Sequence, residues 1–221
     1  MSVVVVKLGG AVAVDAVELV GRLAAEHEVC VVHGAGPQIS AEMARRGLDV
    51  EFVAGRRVTS AAGLEVVRAS LAAVNAELCL ALGPPAVPLF GDVIGLRAER
   101  IPGLGHVGAA VPSRPAAVVE ALEGGWIPVV APLAAGPLNV NADEAASALA
   151  VGLGAERILF VSDVPGVLLD GDVVGALAAD EADRLLGAGA FEGGIVPKLV
   201  AAVHAARGGV RAAIGETEVV A

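Results

Sequence analysis

The stretch Val3-Val4-Val5-Val6-Lys7-Leu8-Gly9-Gly10 constrains this chain more than any other. Four successive β-branched residues fit a strand buried on both faces, the kind found inside a parallel sheet. A lysine is costly to bury, so Lys7 is expected where the strand runs out and its amine can reach something anionic. Gly9 and Gly10 leave the backbone bare, and their N–H groups can approach a ligand closely. In open α/β sheets the ligand crevice lies beyond the carboxyl ends of the strands. The pattern predicts an anion such as phosphate held there, with the chain arranged around it.

At 221 residues the chain is long enough for one large domain or two closely merged lobes. A formal net charge of −10 argues against broad binding to nucleic acid or anionic membrane, so an anion must be captured by local donors. With no Tyr and one Trp, stacking on bases is also disfavoured. Cys30 and Cys79 show no metal or redox spacing and read as reduced core residues. The four histidines are scattered without ligand spacing, so no metal site is expected on them. No signal peptide and no apolar run near the ~20 residues of a membrane helix is found, and a soluble, cytoplasmic protein is expected.

Further strands and turns repeat the opening theme. Val29–Val32 reads as a second buried strand, ending at His33-Gly34-Ala35-Gly36-Pro37, where Pro37 suits the first turn of a helix. Thr59 or Ser60 is placed to cap a helix whose stripe Leu64, Val67, Leu71, Val74 and Leu78 packs on the sheet or on a second subunit. Gly103–Gly108 matches the dinucleotide fingerprint by letter, but no buried strand leads in and prolines follow, so a lid or β-hairpin is expected instead. Asn139 and Asn141 alternate and should face one side of an extended segment. Asp143 can cap a helix over 144–152. Val167–Val174 reads as a hairpin, 191–198 as a glycine loop ending in Lys198, 210–214 as a strand and 218–221 as a tail.

Lys7, the Gly9-Gly10 and Gly34–Gly36 turns and Lys198 thus supply anion donors at strand ends or helix starts. Phosphoryl transfer needs this provision, since its catalysis is mostly positioning and charge neutralisation. The P-loop pattern is absent. An acceptor that arrives ionised, such as a carboxylate, would need no protein base.

Seven segments carry a resemblance: 7–10, 32–37, 57–59, 104–108, 139–143, 162–166 and 194–198. In them the chain resembles the acetylglutamate-phosphorylating branch of the amino acid kinase family, in the family's order and over nearly its whole length. The resemblance implies an α/β three-layer sandwich around a mainly parallel open sheet. It implies an N-terminal acceptor lobe over about 1–137 and a C-terminal nucleotide lobe over about 138–221, within one domain. By it, Lys7 and Lys198 stabilise the transferring phosphoryl group and Asp143 holds them. Gly9, Gly10, Gly34, Ala35, Gly36, Arg57, Asn139 and Asn141 bind the acceptor, Arg57 by its bidentate fork. Asp163, Val164, Pro165, Gly166, Val167 and Leu168, with Ala190, Phe191 and Glu192, hold ATP, whose phosphates bring Mg²⁺.

The reaction so implied is ATP-dependent phosphorylation of the side-chain carboxylate of N-acetyl-L-glutamate, in arginine biosynthesis. Ala35 replaces a glycine common in the family's turn, and the 10–29 and C-terminal segments are short for it. A homodimer built on the Leu64–Leu78 stripe, not inhibited by arginine, is expected. Two rival readings are a kinase acting on carrier-linked aminoadipate in lysine biosynthesis, and a catalytically silent binding module.

Overall fold

The computed structural model describes residues 1–9, 14–161 and 164–221. In chain order the first half runs β1 (Val3–Leu8), α1 (Val14–Ala24), β2 (Glu28–His33), α2 (Gly36–Arg45), β3 (Phe52–Val53), β4 (Arg56–Arg57), α3 (Ala61–Leu82), β5 (Ala86–Phe90), α4 (Gly91–Ile94), β6 (Ala98–Arg100), β7 (Val107–Ala110) and α5 (Ala116–Glu123). The second half runs β8 (Ile127–Ala131), β9 (Leu133–Ala134), β10 (Leu138–Val140), α6 (Ala142–Leu153), β11 (Arg157–Phe160), β12 (Leu168–Leu169), β13 (Asp172–Val173), β14 (Ala176–Ala178), α7 (Ala179–Gly187), α8 (Ile195–Arg207), β15 (Arg211–Ile214) and β16 (Thr217–Val220).

Eight strands form the central sheet in the order β14-β16-β15-β11-β1-β2-β8-β5. Every neighbouring pair is parallel except β15 with β16. The valine run of β1 lies at its centre, hydrogen-bonded on both sides, as its β-branched composition predicts. Side-chain alternation divides the core. Val4, Val6 and Leu8 join Val29 and Val31 under α1, α2 and α3, whereas Val5, Cys30 and Val32 pack under α5, α6 and α8. Helix layers on both faces complete the expected three-layer sandwich. A smaller sheet, β6-β7-β10-β9, brings Asn139 beside Val107 at the mouth of the main one.

Four details correct the sequence reading. Asn141, not Asp143, caps α6: its Oδ1 accepts from the N–H groups of Asp143 and Glu144 at 2.8 and 3.2 Å. Helix α8 starts at Ile195, so Lys198 lies in its first turn rather than after a loop; Pro197 is tolerated there because first-turn N–H groups need no intrahelical partner. The segment read as a tail over 218–221 instead belongs largely to β16, which pairs with β15 and β14 in the sheet. The α3 stripe is spent on the protomer's own core, with Val67, Leu71, Val74 and Leu78 at most 2% exposed, and so cannot be the face of a dimer.

Candidate active site

Because β1 alternates, Lys7 faces the same side as Val5, toward α6, and emerges at the carboxyl end of the sheet level with Val32 and Phe160. Only 6% exposed, it meets Asp143 of α6, itself 5% exposed: Nζ lies 2.9 Å from Oδ1. Lys198 approaches the other carboxylate oxygen, Nζ to Oδ2 being 4.0 Å. One carboxylate thus sits between two ammonium groups from opposite ends of the chain. Such a pairing is what makes a buried charge tolerable.

In front of this triad lies a cleft of about 550 Å³, lined by Lys7, Gly9, Gly34, Ala35, Gly36, Arg57, Asn139, Asn141, Asp143 and Lys198 among others. All the described acceptor residues of the sequence reading therefore converge on it. Gly10 lies outside the described residues. The donors of the second turn are narrower than expected. The N–H of Gly34 is spent on Leu8 O at 3.1 Å, whereas those of Ala35 and Gly36 have no backbone partner among the described residues. No side chain caps α2, which leaves its N-terminus to a ligand anion. Ala35 has φ −147°, which any residue adopts, so the alanine in place of glycine costs the turn nothing.

Arg57 reaches the cleft from the hairpin β3–β4. This is a two-residue turn through Ala54 and Gly55, both at positive φ (48° and 75°), as a type I′ hairpin requires. The guanidinium donates to Gly36 O at 3.1 Å and Ser40 Oγ at 2.8 Å, and touches Met43 Sδ at 3.6 Å. The ring of Phe52 covers it, 4.5 Å from centroid to Cζ. Burial pulls Arg57 below its ordinary pKa, yet guanidinium keeps its proton. Of its five N–H donors, capacity remains for an incoming carboxylate. Asn139 donates to Thr59 Oγ1 at 3.0 Å, and that hydroxyl donates to Arg57 O at 2.7 Å, tying the two acceptor candidates together. Gly105, in the loop between β6 and β7, bridges to Thr59; a Cβ there would lie 2.3 Å from Thr59 O. The Gly103–Gly108 segment is thus a hairpin loop packed beside the cleft, not a dinucleotide turn.

Beyond Lys198 a second cavity of about 490 Å³ opens, lined by Val164, Gly166, Leu168, Ala190, Phe191, Glu192, Gly194, Ile195 and Lys198. Its apolar walls suit a planar base and its lysine a phosphate. Lys198 and Gly194 line both cavities, so a ligand in one can meet a ligand in the other at the triad. Pro165 and Val167 do not line this cavity. Val167 is fully buried with its N–H on Thr217 Oγ1, and Pro165 O accepts from Glu216 N. Asp163 lies outside the described residues. Sequence reasoning missed Phe52, Arg56 and Pro197, which also line the first cleft. Arg56 adjoins Arg57 and Pro197 adjoins Lys198 in sequence, and that adjacency is the signal that could have found them.

Comparison with known proteins shows the family and the fold. The model of the amino acid kinase family matches residues 2–215. An acetylglutamate kinase of Rubrobacter xylanophilus is 46% identical over 97% of this chain and 88% of the relative. Another, from Chloroflexus aurantiacus, is 40% identical over 93% of this chain and 88% of the relative. A crystal structure of a Streptococcus mutans protein superposes with a TM-score of 0.87 at 25% identity, covering 99% of this chain and 98% of that one.

Proposed function

The chain belongs to the amino acid kinase family, and from that premise we infer that it transfers the γ-phosphoryl group of ATP to the side-chain carboxylate of N-acetyl-L-glutamate. One observation carries the reading. Lys7 and Lys198 share Asp143 where the two cavities meet, with Arg57 across the first cavity.

The acceptor brings two carboxylates. Arg57 takes one through the N–H groups that Gly36 O and Ser40 Oγ leave unused, aided by Asn139, and the other is presented to the triad. Already ionised at neutral pH, that carboxylate needs no base; its oxygen bonds to the γ-phosphorus as the bond to the β-bridging oxygen breaks, giving an acyl phosphate and ADP. Lys7, Lys198 and the N–H groups of Gly9, Ala35 and Gly36 stabilise the charge on the three equatorial oxygens. Val164, Gly166, Leu168, Phe191 and Glu192 hold the nucleotide. The nucleotide's phosphates would carry Mg²⁺ to the site, where the ion would supply charge neutralisation beside Lys7 and Lys198.

The acceptor lobe spans about 1–137 and the nucleotide lobe about 138–221. Among the described residues no helix is long and apolar enough to cross a membrane. We propose a cytoplasmic enzyme because its proposed reaction is a step of amino-acid biosynthesis. We propose a homodimer through the edge of the sheet at β5. There α3 and α4 present Leu80 at 85% and Val93 at 77% exposure, and Trp126 precedes the neighbouring strand at 48%.

ADP release from Mg-ATP tests the function, with N-acetyl-L-glutamate, L-glutamate and free aminoadipate as acceptors. Turnover that requires the acetyl group is expected. A folded, ATP-binding protein that turns over none of them would point to a carrier-linked acceptor or a silent module and would sink the reading.

A further inference from the structure

Adjacent residues of β4 point to opposite sides of the ribbon. Arg57 is directed to α2, as described, and Arg56 is directed to α6. There its Nη2 lies 2.9 Å from Glu144 Oε1, with both side chains largely buried, 27% and 17% exposed. Two further contacts grip the same hairpin tip. Asn141, whose Oδ1 caps α6, uses the other end of its amide to donate to Gly55 O at 3.2 Å. Pro197, beside Lys198, packs against Gly55, where a Cβ would lie 3.5 Å from its own Cβ. The hairpin that carries Arg57 is thus fastened to the first turns of the two helices that carry Asp143 and Lys198.

We propose that Arg56 and Glu144 are positioning residues: their ion pair clasps the acceptor hairpin to α6 and so fixes Arg57 relative to Asp143 and Lys198. The inference rests on the kinase reading above. Stability alone does not account for the pair. Arg56 Nε is buried with no hydrogen-bond partner among the described residues, a cost that a pair built only for stability would avoid. Burial pushes Glu144 up from its ordinary pKa, against the pull of Arg56 and of a hydrogen bond from the Ala110 backbone. Glu144 also adjoins Asp143 in sequence, and without Arg56 its carboxylate would stand as an uncompensated like charge beside the residue that organises both lysines. In the clasped state that charge is neutralised, and the acceptor's grip on Arg57 is transmitted through one rigid hairpin to the phosphoryl site. Asn141 belongs to the same clasp, since both ends of its amide are engaged in it.

The test uses Arg56→Gln, Glu144→Gln and the double variant of the full-length enzyme. Steady-state kinetics are run with each substrate varied, and hydrogen exchange is followed for backbone amides 52–58 without substrate. Each single change is expected to raise the KM for acetylglutamate about five- to tenfold while the KM for ATP moves less than about twofold. The double variant should be no worse than the poorer single one, because the two share one interaction. Exchange across the hairpin should quicken in all three. A structural role alone would lower Tm and leave the selective KM change absent. Acceptor KM within about twofold of the parent, multiplied losses in the double variant, or unchanged hairpin exchange would each overturn the clasp. If Glu144→Gln does not fold, Arg56→Gln, altered on the hairpin side, carries the test. A parent enzyme inactive on acetylglutamate would instead defeat the functional reading, and the exchange experiment would still decide the clasp.

Discussion

His33 ends β2 on the side that faces α3, and it is fully buried there. Its Nδ1 lies 3.2 Å from Gly34 O, which can only accept, so the proton resides on Nδ1. Nε2 then accepts from Asn75 Nδ2 at 3.0 Å. Protonating Nε2 would set donor against donor. Turning the Asn75 amide to relieve this would forfeit its 2.8 Å bond to Val129 O. Burial accordingly holds the imidazole down at about 4, against an ordinary histidine value near 6.5. Because the folded value is the lower one, the unfolded chain binds more protons between these limits. The contribution is complete above about pH 6.5 and is lost as pH falls toward 4. The gap of about 2.5 pH units corresponds to about 3 kcal/mol in all, of which about 2 kcal/mol goes between pH 7 and pH 5. Urea unfolding of the parent and of His33→Gln, at both pH values and one protein concentration, isolates this term. The glutamine carbonyl can replace Nε2 as acceptor but does not titrate. The parent should lose about 2 kcal/mol more than the variant over this interval. Parallel losses, within about 0.5 kcal/mol, would refute the argument that His33 is held neutral.

Two further outcomes follow from the same structure. Lys198→Ala should lower kcat at least about a hundredfold with Tm retained, as measured by coupled ADP release and thermal unfolding, because it removes one of two cations aimed at the transferring group. Leu80→Glu should convert a dimer to a monomer of about 21.8 kDa in sedimentation equilibrium, since a carboxylate would be buried without a partner in the proposed interface.

The frame of the fold was legible because its signals are local. Four β-branched residues in β1 and the apolar run of β2 read as buried strands, although which helix layer each side chain meets came only from the structure. The hairpin that carries Arg57 was not legible. Its strands are two residues long, and its turn places Ala54 at φ 48°, where Asn or Gly would have announced it. The start of α8 was obscured by Pro197, which usually reads as a break although the first turn tolerates it. His33 and Asn75 are 42 residues apart, and Arg56 and Glu144 are farther still, so no spacing could pair them. The site residues that could be named, Lys7, Arg57, Asp143 and Lys198, were named from motifs; their distances came only from the packing of β1, β4, α6 and α8.

A chain of net charge −10 that gathers two anionic substrates depends on local cations rather than on its overall field. Lys7, Arg57 and Lys198 come from three distant segments, and two buried ammonium groups facing each other would cost several kcal/mol each. Asp143 faces both of those charges, one with each carboxylate oxygen, and an incoming phosphoryl group adds further negative charge between them. That double role explains the division of labour at the start of α6. Asp143 and Asn141 are both residues that cap helices well, and composition cannot choose between them. A carboxylate committed to backbone N–H groups would have little left for two lysines. The neutral amide of Asn141 takes the capping role, through Oδ1, and both oxygens of Asp143 are left to face Lys7 and Lys198. The chemistry of the site thus selects the cap, a choice that helix propensity alone leaves open.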